Sequence, residues 1–312
     1  MVRLAVSVAI LAFFAWRIEP AEFARAFGTV NLPAYFASLF VAICGSLVIS
    51  WKYFLLARGT GIETSFGRVV SINFIARFFG LLVPSGVGQG AVRWFKMTRN
   101  RGGKAYFLAA SVFERLLFLT TAVLFVLVPL YTLQQPAAVA HLGARLAPVL
   151  AAAVLGLAIG FAYFFSPGLR SGLFRVAAKI PPLRRMRAGE ALARLSVEEL
   201  PRRRLLALAG LSVVWQVVYI GRVYALFLAV GEPMPFFQVA WISSLVFLLQ
   251  VLPVSIAGLG LREGAYVYIF SLYGFQQNLG FLLGVLFFTH MLVFAAIGGI
   301  LNVTEALSRS QG

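Results

Sequence analysis

Charged residues set inside apolar sequence are where this chain places its chemistry. Arg77, Arg93, Glu114, Arg115, Arg262 and Glu263 each lie within or beside a long hydrophobic run. A charge at membrane depth costs about 2.5–3.5 kcal/mol on insertion scales, so it persists only with a partner, water or a charged ligand. Guanidinium groups present a planar fork of donors that matches phosphate oxygens. Arg77, Arg93 and Arg262 are therefore candidates to receive a phosphate-like anion. Glu114 and Glu263 either balance those arginines or receive a cationic headgroup. The competing reading is structural, with Glu114 and Arg115 forming buried pairs with Arg77 or Arg262 that fix helix packing.

Two of these arginines close a repeated motif. In FGLLVPSGVGQGAVRW, residues 79–94, and LQVLPVSIAGLGLREGAY, residues 249–266, an apolar run ends at Pro84 or Pro253. Glycines follow, Gly86, Gly88 and Gly90 in the first copy and Gly258 and Gly260 in the second, and the arginine stands nine residues past the proline. The copies lie 169 residues apart. Upstream, WKYFLLARGTG from Trp51 matches GRVYALFLAVG from Gly221 at an offset of 170, pairing Lys52 with Arg222 and Gly61 with Gly231. Several matches at nearly one offset indicate an internal duplication. Backbone donors exposed at such glycine turns favour the same anion as the arginines do.

Asn73, Gln89, Ser243, Ser244, Gln250 and Ser255 would line one cavity if the two motifs face each other; the alternative for each is an interhelical hydrogen bond. His290 falls in the middle of a hydrophobic run, where helix packing and proton coupling are the two readings. Lys52 and Arg222 lie toward the ends of apolar runs and are read as snorkelling to headgroups. The tryptophans, Trp16, Trp51, Trp94, Trp215 and Trp241, are read mostly as interface anchors.

The elements that must position these residues follow from composition. The 312 residues are 61% hydrophobic and 12% charged, which marks a polytopic membrane protein. Lys and Arg outnumber Asp and Glu by 27 to 10, a surplus that belongs at loops and headgroups and not on nucleic acid. Cys44 is the single cysteine, and His141 and His290 are too few for a metal site. No GxxxxGK[ST] phosphate loop occurs, and the sequence implies no cofactor.

Spans are expected at residues 4–16, 33–56, 105–133, 146–165, 205–230 and 279–303, each read against the roughly 20 residues a crossing helix needs. For residues 4–16 a signal peptide is the alternative. Residues 66–94 and 236–273 are too broken by proline and glycine to cross twice, so each is read as a re-entrant hairpin with a buried or wetted tip. Residues 134–145 are read as a connection with little charge, and 253–264 as the second glycine turn. Residues 167–204 form a basic loop with two amphipathic stretches that lie on anionic headgroups.

The positive-inside rule places residues 93–104 and 167–204 in the cytoplasm, with both termini on that side. Each half then has three crossings and one hairpin, and an odd number of crossings turns the second half over. The fold class expected is an all-α polytopic membrane protein, an inverted-topology repeat with about six full spans and two re-entrant or broken helical hairpins. It forms one transmembrane domain over residues 1–312, with repeat one at about 1–133 and repeat two at about 145–306. Inverted repeats with broken helices near the midplane suit alternating access.

At these residues the chain resembles the transmembrane, flippase-like domain of the lysylphosphatidylglycerol synthase family. The signature LPVSIAGLGLREG, residues 252–264, and its first-half partner LVPSGVGQGAVRW, residues 82–94, carry the likeness. The resemblance implies a bacterial-type inner-membrane protein that moves a polar lipid between leaflets. It also implies a stand-alone member, because the soluble aminoacyl transferase fused in the best-known relatives is not in this sequence. Synthesis is then not implied. The expectation is a lipid translocase, not an enzyme, whose partners are membrane lipids, with a homo-oligomer and a separate lipid-modifying enzyme left open. Two alternatives stay open: a membrane-embedded transferase with Glu114 or Glu263 as general base, and a small-solute secondary transporter.

Overall fold

The computed structural model describes residues 25–82, 88–99, 104–166, 168–169, 201–252 and 258–310. The expected first span at residues 4–16 and most of the basic loop lie outside the described residues, as do Pro84, Gly86, Pro253 and Ser255. The described residues form α-helices: α1 Leu32–Gly59, α2 Phe66–Leu82, α3 Gly88–Thr98, α4 Lys104–Thr132, α5 Ala137–Phe165, α6 Arg202–Ala229, α7 Phe236–Val251, α8 Leu261–Leu272 and α9 Gln277–Ser310. Among them α1, α4, α5, α6 and α9 are long and apolar enough to cross a membrane. The chain is an all-α, multi-pass membrane protein.

Each helix begins and ends where its sequence allows. Asn31 caps α1 by accepting from the Ala34 amide at 3.0 Å, and Pro33 fits the first turn, where its missing amide hydrogen is not needed. The C-termini of α1 and α6 close alike. Gly61 and Gly231 take positive φ, 74° and 84°, and the amides of Ile62 and Glu232 reach back to Ala57 and Phe227 carbonyls. Both closures sit at the offset of 170 found in the sequence.

Boundaries differ from expectation in three places. Residues 137–145 belong to α5 and not to a connection, because Pro136 starts the helix and Ala, Val and Leu continue it without a breaker. Residues 202–204 are the first turn of α6, and residues 261–264 the first turn of α8. Local helix propensity outweighs the charge and glycine content that suggested loop there.

α1 and α6 form the centre of the bundle, and they run antiparallel. The Asn31 amide donates to the Ala229 carbonyl at 2.9 Å, and the Ser38 hydroxyl donates to the Arg222 carbonyl at 2.8 Å. Further along, Gly45 lies beside Val218 and Trp215, and Gly221 beside Val41. Small residues at such a crossing let two backbones approach, which drives helix association where lipid supplies no hydrophobic force. Around this pair α2 packs on α9, and α7 packs on α4. Exchanging α1, α2, α4 for α6, α7, α9 maps these contacts onto themselves.

α9 carries the closest approaches. A Cβ at Gly298 would collide with the Phe74 carbonyl of α2, and one at Gly280 would lie 2.9 Å from the Tyr266 backbone of α8. α5 stands apart, with only 6% of its most apolar window buried, against 50% for α6 and α9. It contacts α4 alone among its well-packed neighbours and turns the rest of its surface outward.

Candidate functional site

The charged residues of the first half form one layer across α1 to α4. Lys52 is fully buried, and its Nζ lies 2.5 Å from Glu114 Oε1. Glu114 also accepts from the Tyr53 hydroxyl at 3.3 Å. Arg93 donates through Nε to Asn73 Oδ1 at 2.6 Å and stacks over the Tyr53 ring, while Asn73 Nδ2 donates to Ser50 at 2.8 Å. Three candidates, Asn73, Arg93 and Glu114, are thus brought together, and α1 supplies Lys52 and Tyr53 to join them. Arg115 is exposed on the neighbouring face, against the rings of Phe118 and Phe247. Glu114 therefore pairs with Lys52 and with neither Arg77 nor Arg262.

The second half repeats the layer with different chemistry. Arg262 is fully buried and is held by its neighbour Glu263 through Nε and Nη2, while Nη1 donates to Met291 Sδ at 3.2 Å. The other oxygen of Glu263 accepts the Gly260 amide at 2.7 Å and closes the first turn of α8. Gly258 and Gly260 take φ of 76° and 80°, which side chains rarely adopt. Arg262 and Glu263 are thus a closed unit that fixes the glycine turn. On α6, Arg222 donates from Nε to His290 Nδ1 at 3.2 Å and from Nη2 to the Phe287 carbonyl at 3.3 Å. Its guanidinium lies 3.8 Å from the Phe287 ring centroid, and Arg262 lies 4.8 Å from the same ring.

The expectation that Lys52 and Arg222 snorkel to headgroups is overturned. Lys52 is 0% and Arg222 9% exposed, because α4 and α9 offer them Glu114 and His290 inside the bundle. Trp241 is likewise 0% exposed, donating to the Tyr273 hydroxyl, and is no interface anchor. The signal that could have found Lys52 and Arg222 was their pairing at the offset of 170, since snorkelling residues need no counterpart.

The two candidate glutamines work within their own hairpins. The Gln89 side chain fills the space where a Cβ at Gly80 would stand, so α3 presses on α2. Gln250 of α7 lies in the same way over Gly258, ahead of α8, and donates to the Val246 carbonyl at 3.2 Å. The glutamine and the glycine have exchanged arms between the two halves. Gly88 and Gly90 lie within α3. Ser244 accepts from Gln216 at 2.8 Å, and Ser243 bonds back to Ala240.

Arg77 makes no hydrogen bond or ion pair among the described residues and lies 4.6 Å from the Phe294 ring centroid. With Arg222, Tyr219 and Trp215 it lines a cavity of about 30 Å³ at the crossing of α1 and α6. That volume admits ordered water and is tight for a phosphate. A larger groove of about 490 Å³ between α4 and α5 is lined by Leu127, Tyr131, Leu150 and Val154 and has the apolar character of an acyl-chain surface. Among the described residues of the bundle interior, the cations Lys52, Arg77, Arg93, Arg222 and Arg262 outnumber the buried carboxylates, Glu114 and Glu263.

Residues 1–299 match the family described as the lysylphosphatidylglycerol synthase TM region. No match emerged among curated proteins or solved structures.

Proposed function

Because the chain belongs to the lysylphosphatidylglycerol synthase transmembrane family, we propose that it moves a phospholipid or related polar lipid between the leaflets of a bacterial-type inner membrane. The observation that carries this reading is the surplus of positive charge inside the bundle. Among the described residues, the five interior cations Lys52, Arg77, Arg93, Arg222 and Arg262 against the carboxylates Glu114 and Glu263 make an arrangement with a large self-energy, and a passing anionic group offsets it. A bare headgroup crosses hydrocarbon slowly because its polar atoms lose their hydrogen bonds. Arginine and tyrosine donors placed between the halves replace part of what is lost, while acyl tails stay outside along apolar faces such as the α4–α5 groove.

Antiparallel packing of α1 on α6 supports an alternating mechanism, since helices related by the internal echo would then face opposite leaflets. Transport on this reading requires α1 and α6 to part, because the cavity between them is too small for a headgroup. Neither Glu114 nor Glu263 is available as a general base, each being held by a cation of the chain itself. That favours movement of the lipid over its chemical conversion.

The test is leaflet exchange of a fluorescent phosphatidylglycerol in vesicles carrying the purified protein, read by quenching from outside. Exchange well above that of protein-free vesicles, with the lipid recovered unchanged, is the expected outcome. Recovery of a new lipid species would replace the reading with a transferase, and uptake of a water-soluble anion without lipid exchange would replace it with a solute transporter.

A further inference from the structure

We propose that Arg77, Arg222 and Tyr219, with the Trp215 indole, form a binding site for a phosphate-class oxyanion at the crossing of α1 and α6, which the anion occupies as the two helices part and the cavity of about 30 Å³ widens. The site deepens the translocation reading, and its binding chemistry stands on separate observations. The cavity is lined by Val41, Ala42, Gly45 and Val218 on its apolar side and by these four polar residues on the other. No carboxylate or amide oxygen is among the lining side chains. The Tyr219 hydroxyl is buried and makes no close hydrogen bond among the described residues, with the Gln250 side chain near it. Trp215 Nε1 lies 4.0 Å from where a Cβ at Gly45 would be, and the described residues give it no acceptor. A pocket that presents two guanidinium groups, one without a hydrogen bond among the described residues and the other bonded there to uncharged acceptors, selects an anion.

The other half of the molecule serves as the control. Lys52, which stands at the offset of 170 from Arg222, is neutralised by Glu114 at 2.5 Å. Among the described residues, Arg222 donates to the imidazole of His290 and a backbone carbonyl and to no carboxylate. Both acceptors are uncharged when His290 is neutral, and Nδ1 as the acceptor requires that form. Arg77 and Arg222 line the same small cavity, so their like charges repel. An oxyanion placed between them supplies the charge that Glu114 supplies on the opposite side.

The test uses the full chain in an uncharged detergent, with calorimetric binding of inorganic phosphate, dioctanoyl phosphatidylglycerol and dioctanoylglycerol. The phosphatidylglycerol binds and dioctanoylglycerol does not. Inorganic phosphate that competes with it marks a site reading the phosphate alone, whereas a lipid that binds without such competition marks a site needing the attached headgroup and tails. Arg77→Gln and Arg222→Gln weaken binding roughly tenfold or more, as loss of a charge-assisted hydrogen bond does. The decisive variant is His290→Glu, which gives Arg222 the carboxylate that Lys52 already has. It abolishes binding while the unliganded protein melts no lower than the parent. Tyr219→Phe, which removes a hydroxyl that makes no close hydrogen bond among the described residues, folds and weakens binding several-fold. The proposal is overturned if dioctanoylglycerol binds as well as the phospholipid, if the parent binds no phosphate compound, or if His290→Glu and Tyr219→Phe bind like the parent. Variants that lose binding but keep full lipid exchange would remove this site and leave the translocation reading standing. Binding without exchange would do the reverse.

Discussion

Lys52 on α1 and Arg222 on α6 stand at equivalent places in the internal echo, and both are buried where a long helix of the same half crosses them. Lys52 meets a carboxylate and Arg222 meets an imidazole. A buried ion pair of good geometry is a closed unit, since its two desolvation penalties are offset by mutual attraction. A buried guanidinium on a neutral acceptor keeps an unneutralised charge. The difference teaches that at this pair of positions the first half closes its buried cation on a carboxylate, whereas the second half leaves the charge of Arg222 open toward the centre of the molecule.

The comparison breaks most clearly through its acceptors. Glu114→Ala strands Lys52 in the bundle and is expected to destabilise by about 3–5 kcal/mol, read as a fall in the thermal midpoint of the purified protein. His290→Ala removes one hydrogen bond to a charged group and is expected to cost less, about 1.5–3 kcal/mol. Equal losses would mean that the two cations are held alike. Gly298→Ala tests the α2–α9 contact, where a methyl group meets the Phe74 carbonyl; overpacking there is expected to cost about 1–3 kcal/mol. The same change at Gly156, where nothing lies near, is expected to leave the midpoint unchanged. Gln89→Ala and Gln250→Ala sharpen the comparison from the other direction. Each removes a side chain that spans its own hairpin, and each is expected to cost about 0.5–1.5 kcal/mol and to raise backbone hydrogen exchange in α3 or α8 respectively. The smallest effect belongs to Lys96, whose Nζ meets Glu305 at 2.5 Å and Asn302 at 3.2 Å near the end of α9. Lys96→Ala is expected to cost about 0.2–1 kcal/mol, and less in high salt.

Sequence alone carried the membrane class, the helices α1, α4 and α6 to within a few residues, and α9 apart from its last turns, and it placed breaks between α2 and α3 and between α7 and α8. These depend on hydropathy over long windows and on prolines that end helices, and both are local properties. The helical start of α5 was missed because residues 137–145 lack the charge and the turn residues that separate a loop from an apolar helix. Partner choice was harder to read. Glu114 had Arg77 and Arg262 as candidate partners, and the structure gave it Lys52, because α1 crosses α4 at a level that only the tertiary packing sets. Tyr53 and Tyr219 were invisible as site residues, since a tyrosine in an apolar run reads as packing until Tyr53 is seen to donate to Glu114 beneath Arg93 and Tyr219 to line a cavity with two arginines. The exchange of glutamine and glycine between hairpin arms was present in the echo, where Gly80 aligns with Gln250, yet its meaning appears only once both pairs are seen in contact.

The account depends on α1 and α6 parting to let a headgroup through. Replacing Gly45 and Val218 by cysteine in a Cys44→Ser background sets two thiols across the crossing, where a Cβ at Gly45 lies 3.3 Å from Val218 Cγ1, within disulfide reach. Phospholipid exchange in vesicles, measured before oxidation, after it and after reduction, tests the claim directly. The account predicts that exchange falls to the protein-free rate when the bridge is complete and returns when it is reduced. Full exchange through a protein whose α1 and α6 are completely cross-linked would contradict it.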